Sequence, residues 1–356
     1  MPQAEIFNHT RLAHAVLPLA DEQGTSLAVS LLQATFAMFE DGSVRLADEQ
    51  ATIELGGLPW DGDVEQGWRL EPQMAFVKPG CDVVLNGHAL ALQRGCTQML
   101  VELSLGPVAR RALVFGPRRL LDGRRITAPE PFERAALRHG NAFGGWDRRH
   151  DDPAEHRVEA RNPLGRGFRD TRAPIDRDVE LPAIEDPAER YQSYGDAPAP
   201  VGFGFVAPHV QPRAAFAGTY DARWLANRMP LLPLDFDRRF FAAASPGLAC
   251  AQPLQGGERA SVVGTTARGR LDFTVPALGT PLFHAHLSGR RRTTLKMALD
   301  TVVIDTDAMS LTLLWRAHLA LRNGLHDLLA GEFHLPDARA RSVLRGSGAA
   351  APRRAA

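Results

Sequence analysis

The hydrophobic pattern of the chain favours strands over helices. In TQMLVELSL, Met99, Val101, Leu103 and Leu105 fall on one face, with Glu102 and Ser104 on the other. That period of two predicts a half-buried strand. Gly106-Pro107 separates it from VARRALVFG, where Val108, Leu113 and Phe115 mark a second strand. Upstream, LAVSLLQATFAMF and SVRLA flank the turn dipeptide Asp41-Gly42, which predicts a hairpin over residues 27–47. CDVVL and HALAL flank Asn86-Gly87, the strongest short hairpin signal in the chain. Residues 1–125 are therefore expected to form an antiparallel β-sandwich or barrel.

The pattern lapses over 126–249 and resumes over 250–335. ERASVVGTT, GRLDFTVP, PLFHAHLSG and TTLKMALDTVVID read as strands, and TVVID and MSLTLLW form a hairpin turning at Thr306-Asp307. The proline-rich middle predicts an irregular connection lying over the sheets. Short helices are expected at 132–139, 221–229 and 323–333, and DRRHDDPAEHR is too charged for a core and predicts an exposed loop. The low-complexity end, 336–356, is expected to be a disordered tail. The expected fold is thus mainly β: two antiparallel sandwich- or barrel-like regions, 1–125 and 250–335, bridged by 126–249, with few short helices.

Within the middle, residues 200–241 are the densest stretch. PVGFGFVAPHVQPRAAFAGTYDARWLANRMPLLPLDFDRRFF interleaves aromatic rings with arginines and aspartates. A loop this long inside a compact domain needs its rings buried or put to use. The expected outcome is an ordered, irregular segment with Trp224 and Phe240 largely buried and Asp235 or Asp237 paired with an arginine. Tyr220, Asp221, Trp224, Arg228, Asp235, Asp237, Arg238 and Arg239 are the candidate residues for a partner contact or a structural lock.

Composition narrows the function classes. The formal net charge is zero, so no general attraction to nucleic acid or anionic membrane is expected. Lys78 and Lys296 are the only lysines, and arginine carries the rest of the positive charge, as suits a GC-rich bacterial genome. Cys81, Cys96 and Cys250 are odd in number and fit neither a disulfide framework nor a zinc motif. The N-terminus lacks a basic start and an unbroken apolar run, and no apolar run reaches the roughly 18–20 residues of a membrane span. A cytoplasmic protein is expected.

Catalytic motifs are sparse. Gly202-Phe203-Gly204 lacks a third glycine, and RNPLGRG at 161–167 lacks the Lys-Ser/Thr pair of a phosphate loop. No G-x-S-x-G occurs. His284 and His286 share one face of a strand and His88 sits just past a turn, but the spacing implies no third ligand, and HDDPAEH at 150–156, though it has ligand types, reads as an exposed charged loop. No metal or cofactor is therefore expected. Asp235 and Asp237 are the best enzymatic lead, since alternate positions on a strand place two carboxylates on one face, as in a hydrolase acting on a glycosidic bond. The adjacent Arg238 and Arg239 make neutralisation the simpler expectation.

MAFVKPGCDVVLNGHAL, NAFGGWD, RNPLGRGF, LPAIEDP, the 200–241 run, LQGGE and LDTVVIDTDAMSLTLLWRA together resemble one bacterial family. It is a family of unknown function associated with type VI secretion, found beside spike proteins, PAAR-like tips and toxic effectors. The similarity covers about residues 5–320. Gln33 stands where the resemblance leads one to expect lysine, and Cys81 where threonine is usual. The resemblance implies an accessory or adaptor protein whose partners are an effector, a PAAR-like tip or the spike. It carries no catalytic residues with it.

Overall fold

The computed structural model describes residues 4–172 and 178–335, and the expected disordered tail lies outside them. The protein is mainly β. The first part of the chain supplies β1 (Glu5–Asn8), β2 (Ala13–Ala20), β3 (Ser26–Met38) and β4 (Val44–Leu46). It continues with β5 (Cys81–Asn86), β6 (His88–Leu90), β7 (Gln98–Leu105) and β8 (Val108–Phe115). The middle gives short pieces, among them β9 (Arg134–Ala136), β10 (Ile184–Glu185), helix α1 (Ala222–Asn227) and β11 (Ala249–Cys250). Then come β12 (Arg259–Val263), β13 (Arg270–Thr274), β14 (Leu282–Leu287) and β15 (Arg291–Lys296). The last three are β16 (Ala298–Asp305), β17 (Ser310–Ala320) and β18 (Leu328–His334).

The two strand-rich ends interleave. A seven-stranded sheet runs β2-β3-β17-β16-β5-β11, with β4 added to β3. Its centre pairs β3 with β17, and β16 lies parallel to β5 with Thr301 opposite Asp82. A five-stranded sheet runs β10-β8-β7-β12-β13, again joining strands from both ends. A four-stranded sheet, β1-β18-β14-β15, does the same. All three contribute to one hydrophobic core, through Phe36 and Leu85, Leu103 and Val262, and Phe283 and Phe333. The regions 1–125 and 250–335 therefore share every large sheet.

Strand β3 shows why its sequence does not alternate. Ala28, Leu32, Ala34 and Phe36 face that core, while Leu27, Val29 and Leu31 face a second cluster built with Phe76, Leu232 and Phe241. A strand covered on both faces reads as a continuous apolar run. Gln33, buried in the same strand, donates to the Ala51 carbonyl at 2.9 Å and so holds the following loop.

Several expectations change. Strands β5 and β6 do not form a hairpin about Asn86-Gly87. Both edges of β5 are taken by β16 and β11, and β6 pairs with β9 instead. Gly87, at φ 145°, lets the chain leave the sheet past Thr306, whose hydroxyl would lie 2.2 Å from any Cβ there. The helix expected at 132–139 is β9 followed by a 3-10 turn, His139–Asn141, because the free edge of β6 offers ladder bonds. The helix expected at 323–333 is the 3-10 turn Gly324–Asp327 and then β18, whose Phe333 points into the core. The hairpins β3–β4 and β16–β17 form as expected, and the two strands expected on either side of Gly106-Pro107, β7 and β8, pair with each other as a third. All three cysteines are free.

A buried ionic network joins the sheets to the middle segment. Lys78 donates to Asp82 at 2.6 Å and to the Thr301 hydroxyl at 3.0 Å. The Asp82 carboxylate also accepts the Ala243 and Ala244 amides. Arg316 pairs with Asp300 at 2.6 Å and donates to the Gln73 side chain at 2.9 Å. Arg213 pairs with Glu71 and donates to the carbonyls of Val206 and Phe240. Burial pulls the Lys78 ammonium down, but Asp82, Asp300 and Glu71 outweigh it and hold it above its ordinary value. Three cations thus meet three carboxylates, and the peptide groups around them take most of the remaining hydrogen bonds, Glu71 Oε2 being left without a partner among the described residues.

Candidate functional site

The motif-dense stretch divides into two halves. Val201, Phe203, Phe205, Val206, Ala207 and Val210 are buried. The Phe203 carbonyl accepts from the Leu85 amide at 2.9 Å, and Ala243 is hydrogen-bonded to Val206, so this half is core. Beyond Gly218 the chain forms a half-exposed lobe. Trp224 and Phe240 are mostly covered without being sealed from solvent, while Tyr220 is 53% exposed. The lobe lies over the outward face of β3 through Leu232 and Phe241, and other rings of it, Tyr220 with Trp224 and Phe236 with Phe240, meet edge to face.

Each candidate residue of the lobe is engaged within the chain. Asp221 caps α1 by accepting the Trp224 amide at 2.7 Å, and Tyr220 sets its ring edge-on to Trp224 at 4.7 Å. The Trp224 indole donates to the Leu231 carbonyl. Arg228 donates to the Leu232 carbonyl and to that of Glu22, and Arg238 pairs with the Glu22 carboxylate at 2.7 Å. Asp235 accepts both the amide and the hydroxyl of Thr219, and those bonds hold its pKa below the ordinary value. Asp237 pairs with Arg239 at 2.6 Å, which lowers it likewise, and Arg239 lies over the Phe216 ring. The expected arginine partner of Asp237 is thus present. A carboxylate serving as a general acid needs its pKa raised, whereas both of these are lowered.

Four other segments converge on an open cleft of about 930 Å³. Its walls are Val64, Gln66 and Trp68; Trp146 and Arg148; Val158, Ala160, Pro163 and Leu164; and Pro208, His209 and Gln211. Trp146 is 43% exposed, and the Arg148 guanidinium lies 5.3 Å from its ring centre. Trp68 is anchored from behind by Val206, Ala207 and Val210.

The glycines of two sequence motifs make this wall. Gly144, at φ 146°, has the Asn162 carbonyl 2.0 Å from where a Cβ would be, and Gly145, at φ 97°, has that of Gly165 at 2.4 Å. NAFGGWD and RNPLGRGF therefore lock backbone to backbone. Buried Asn162 adds bonds to the His139 and Phe143 carbonyls. The sequence pattern does not single out Trp146, Arg148, Leu164 or His209. The paired glycines beside a tryptophan are the available signal, since such close backbone approach presents the next side chain outward.

A Ser-His pair also lies inside the protein. His139 Nε2 is 3.2 Å from the Ser245 hydroxyl, which donates to the Gly204 carbonyl at 2.8 Å. With that proton engaged, His139 is the donor, so the pair is a structural tie and not an activated nucleophile. Its ring occupies the space where a Cβ on Gly202 would lie, 2.3 Å from Cε1. Burial drives the His139 pKa from 6.5 to about 4. The unfolded chain therefore binds a proton that the folded one refuses, and stability falls as pH drops from about 6.5 to about 4, then levels. At roughly 1.4 kcal/mol per pH unit the loss is about 3 kcal/mol. Urea midpoints measured between pH 7 and pH 4.5 should fall less steeply in His139→Gln than in the wild type. Equal slopes would remove His139 from the acid response.

Among the described residues, no helix is long and apolar enough to cross a membrane. No curated protein and no solved structure matches the chain. The profile of a bacterial family, described as an uncharacterized protein conserved in bacteria (DUF2169), matches residues 23–316. That span includes both the buried ionic network and the tryptophan cleft, and the chain belongs to this family.

Proposed function

We propose that this protein is a non-enzymatic cytoplasmic adaptor that binds a type VI secretion effector or PAAR-like tip protein and assists its loading onto the spike. The observation that carries the reading is the tryptophan cleft. Trp146, Arg148 and Trp68 are of the residue types that dominate binding energy at protein interfaces, and they line an open depression. The exposed side chains of Leu225, Met229 and Leu234 offer the lobe as a second contact. The motif resemblance supplies the partner class. A stable complex buries on the order of 1,200–2,000 Å², more than the cleft alone, so a partner segment seated in it would extend over neighbouring surface. Nothing in the arrangement of Asp235 and Asp237 favours the hydrolase alternative.

Deleting the gene in its native host should lower effector abundance and secretion. Wild-type protein and the folded variants Asp235→Ala and Asp237→Ala should restore both, while Trp146→Ala with Arg148→Ala should not. Normal delivery in the deletion strain would end the adaptor reading. A hydrolytic activity lost in the two aspartate variants would put an enzyme in its place.

A further inference from the structure

The four-stranded sheet turns one face to the core and the other outward. Phe283, Ala285, Leu287 and Phe333 are buried on the inner face. The alternate positions His284 and His286 on β14, and Glu332 and His334 on β18, therefore lie together on the outer one, with His284 directly opposite Glu332. Strand β1 runs parallel to β18 at the next edge and brings in His9, whose amide bonds the Phe333 carbonyl. Two i,i+2 pairs, far apart in sequence, thus become one cluster.

We propose that His9, Glu332 and His334 form a site for a divalent zinc-type cation. One ligand atom from each lies within 4.8 Å of the other two. His334 Nε2 and Glu332 Oε2 are 3.0 Å apart. Tetrahedral zinc with bonds near 2.0–2.1 Å needs ligand atoms roughly 3.3 Å apart, so the ion replaces the shared proton with little movement of these two. The His9 ring stacks on His334 at 4.5 Å with the planes 22° apart, and, being exposed, it has room to turn out of that stack and aim a nitrogen at the ion. His286 Nε2 sits 2.7 Å from the other Glu332 oxygen. It takes the place of the outer partner that orients a ligating carboxylate. His284 is tied to the Thr294 hydroxyl at 2.7 Å. Arg292, across from His286, opposes the cation, and the Glu332 charge faces it. Imidazole and carboxylate ligands select zinc-like ions over magnesium or calcium. A bound ion would fasten the first strand of the chain to β18. The three ligands lie outside residues 23–316, so the site is independent of the family match.

The test is calorimetric titration of the full chain, carrying no histidine tag, with zinc, together with cobalt as a visible-absorbing probe. One saturable zinc per chain and the intense absorption of four-coordinate cobalt are expected. His9→Ala, which removes only an exposed ring, His334→Ala and Glu332→Gln should each abolish saturation. His286→Ala should weaken binding by about 10–100-fold. His88→Ala and the His150→Ala/His156→Ala double variant should bind like wild type. No saturable zinc in the wild type, or unchanged binding in folded His9→Ala and His334→Ala, would overturn the proposal.

Discussion

Replacing Lys78 by methionine is expected to destabilise the protein by about 3–5 kcal/mol, the cost of removing one partner from a buried ion pair. Lys78 and Asp82 are both almost wholly buried, with side-chain exposures of 4% and 2%. Methionine has nearly the right length, so little volume is lost. What remains is an Asp82 carboxylate without its cation, still bound to two amides and still out of water. The neighbouring Asp300–Arg316 pair allows a control: Asp300→Leu alone should cost a similar amount, while Asp300→Leu with Arg316→Met should cost much less than the sum of the single changes. Urea midpoints measure all of these. A Lys78→Met midpoint shifted no further than that of Arg239→Met, an exposed cation, would show that the network contributes nothing net.

Phe203→Ala should also cost about 3–5 kcal/mol, because the ring is fully buried and its removal leaves a cavity in the shared core. Tyr220→Ala should shift the melting temperature little, and Trp224→Ala should fall between them. All three belong to one aromatic-rich run, yet one half is core and the other an external lobe. Equal losses in Phe203→Ala and Tyr220→Ala would mean that the lobe is as essential to folding as the core.

Strands with a clean period of two are legible in the amino-acid sequence alone. The alternation at 98–105 emerges as buried Val101, Leu103 and Leu105 beside exposed Ser104. Signals that depend on what occupies a neighbouring edge are not legible there. Asn86-Gly87 has hairpin chemistry, but β5 already has two partners from distant sequence, and no local pattern reports that. The 323–333 segment has helical composition, yet its fate is decided by the space between β1 and β14. Lys78, Asp82, Arg213, Asp300 and Arg316 stand inside recognisable motifs, although their meeting depends on the parallel register of β5 and β16. His284 and His286 are visible as a pair. Glu332 and His334 are hidden, because the residues leading into that strand have the composition of a helix.

The interleaving of the two ends bears on how the chain comes to be folded. Ser30 donates its hydroxyl to the Ala317 carbonyl, 287 positions away, in the middle of the largest sheet. Contacts so remote in sequence make for slow folding, since the loop between them must close before the contact repays the lost entropy. During synthesis, β3, β5 and β7 leave the ribosome long before their partners β17, β16 and β12. Until those partners emerge, the nascent chain therefore presents apolar strands with unpaired edges, which are prone to aggregate. Assembly of the central sheet has to wait for β17, whose first residue, Ser310, follows the last of β3, Met38, by 272 positions.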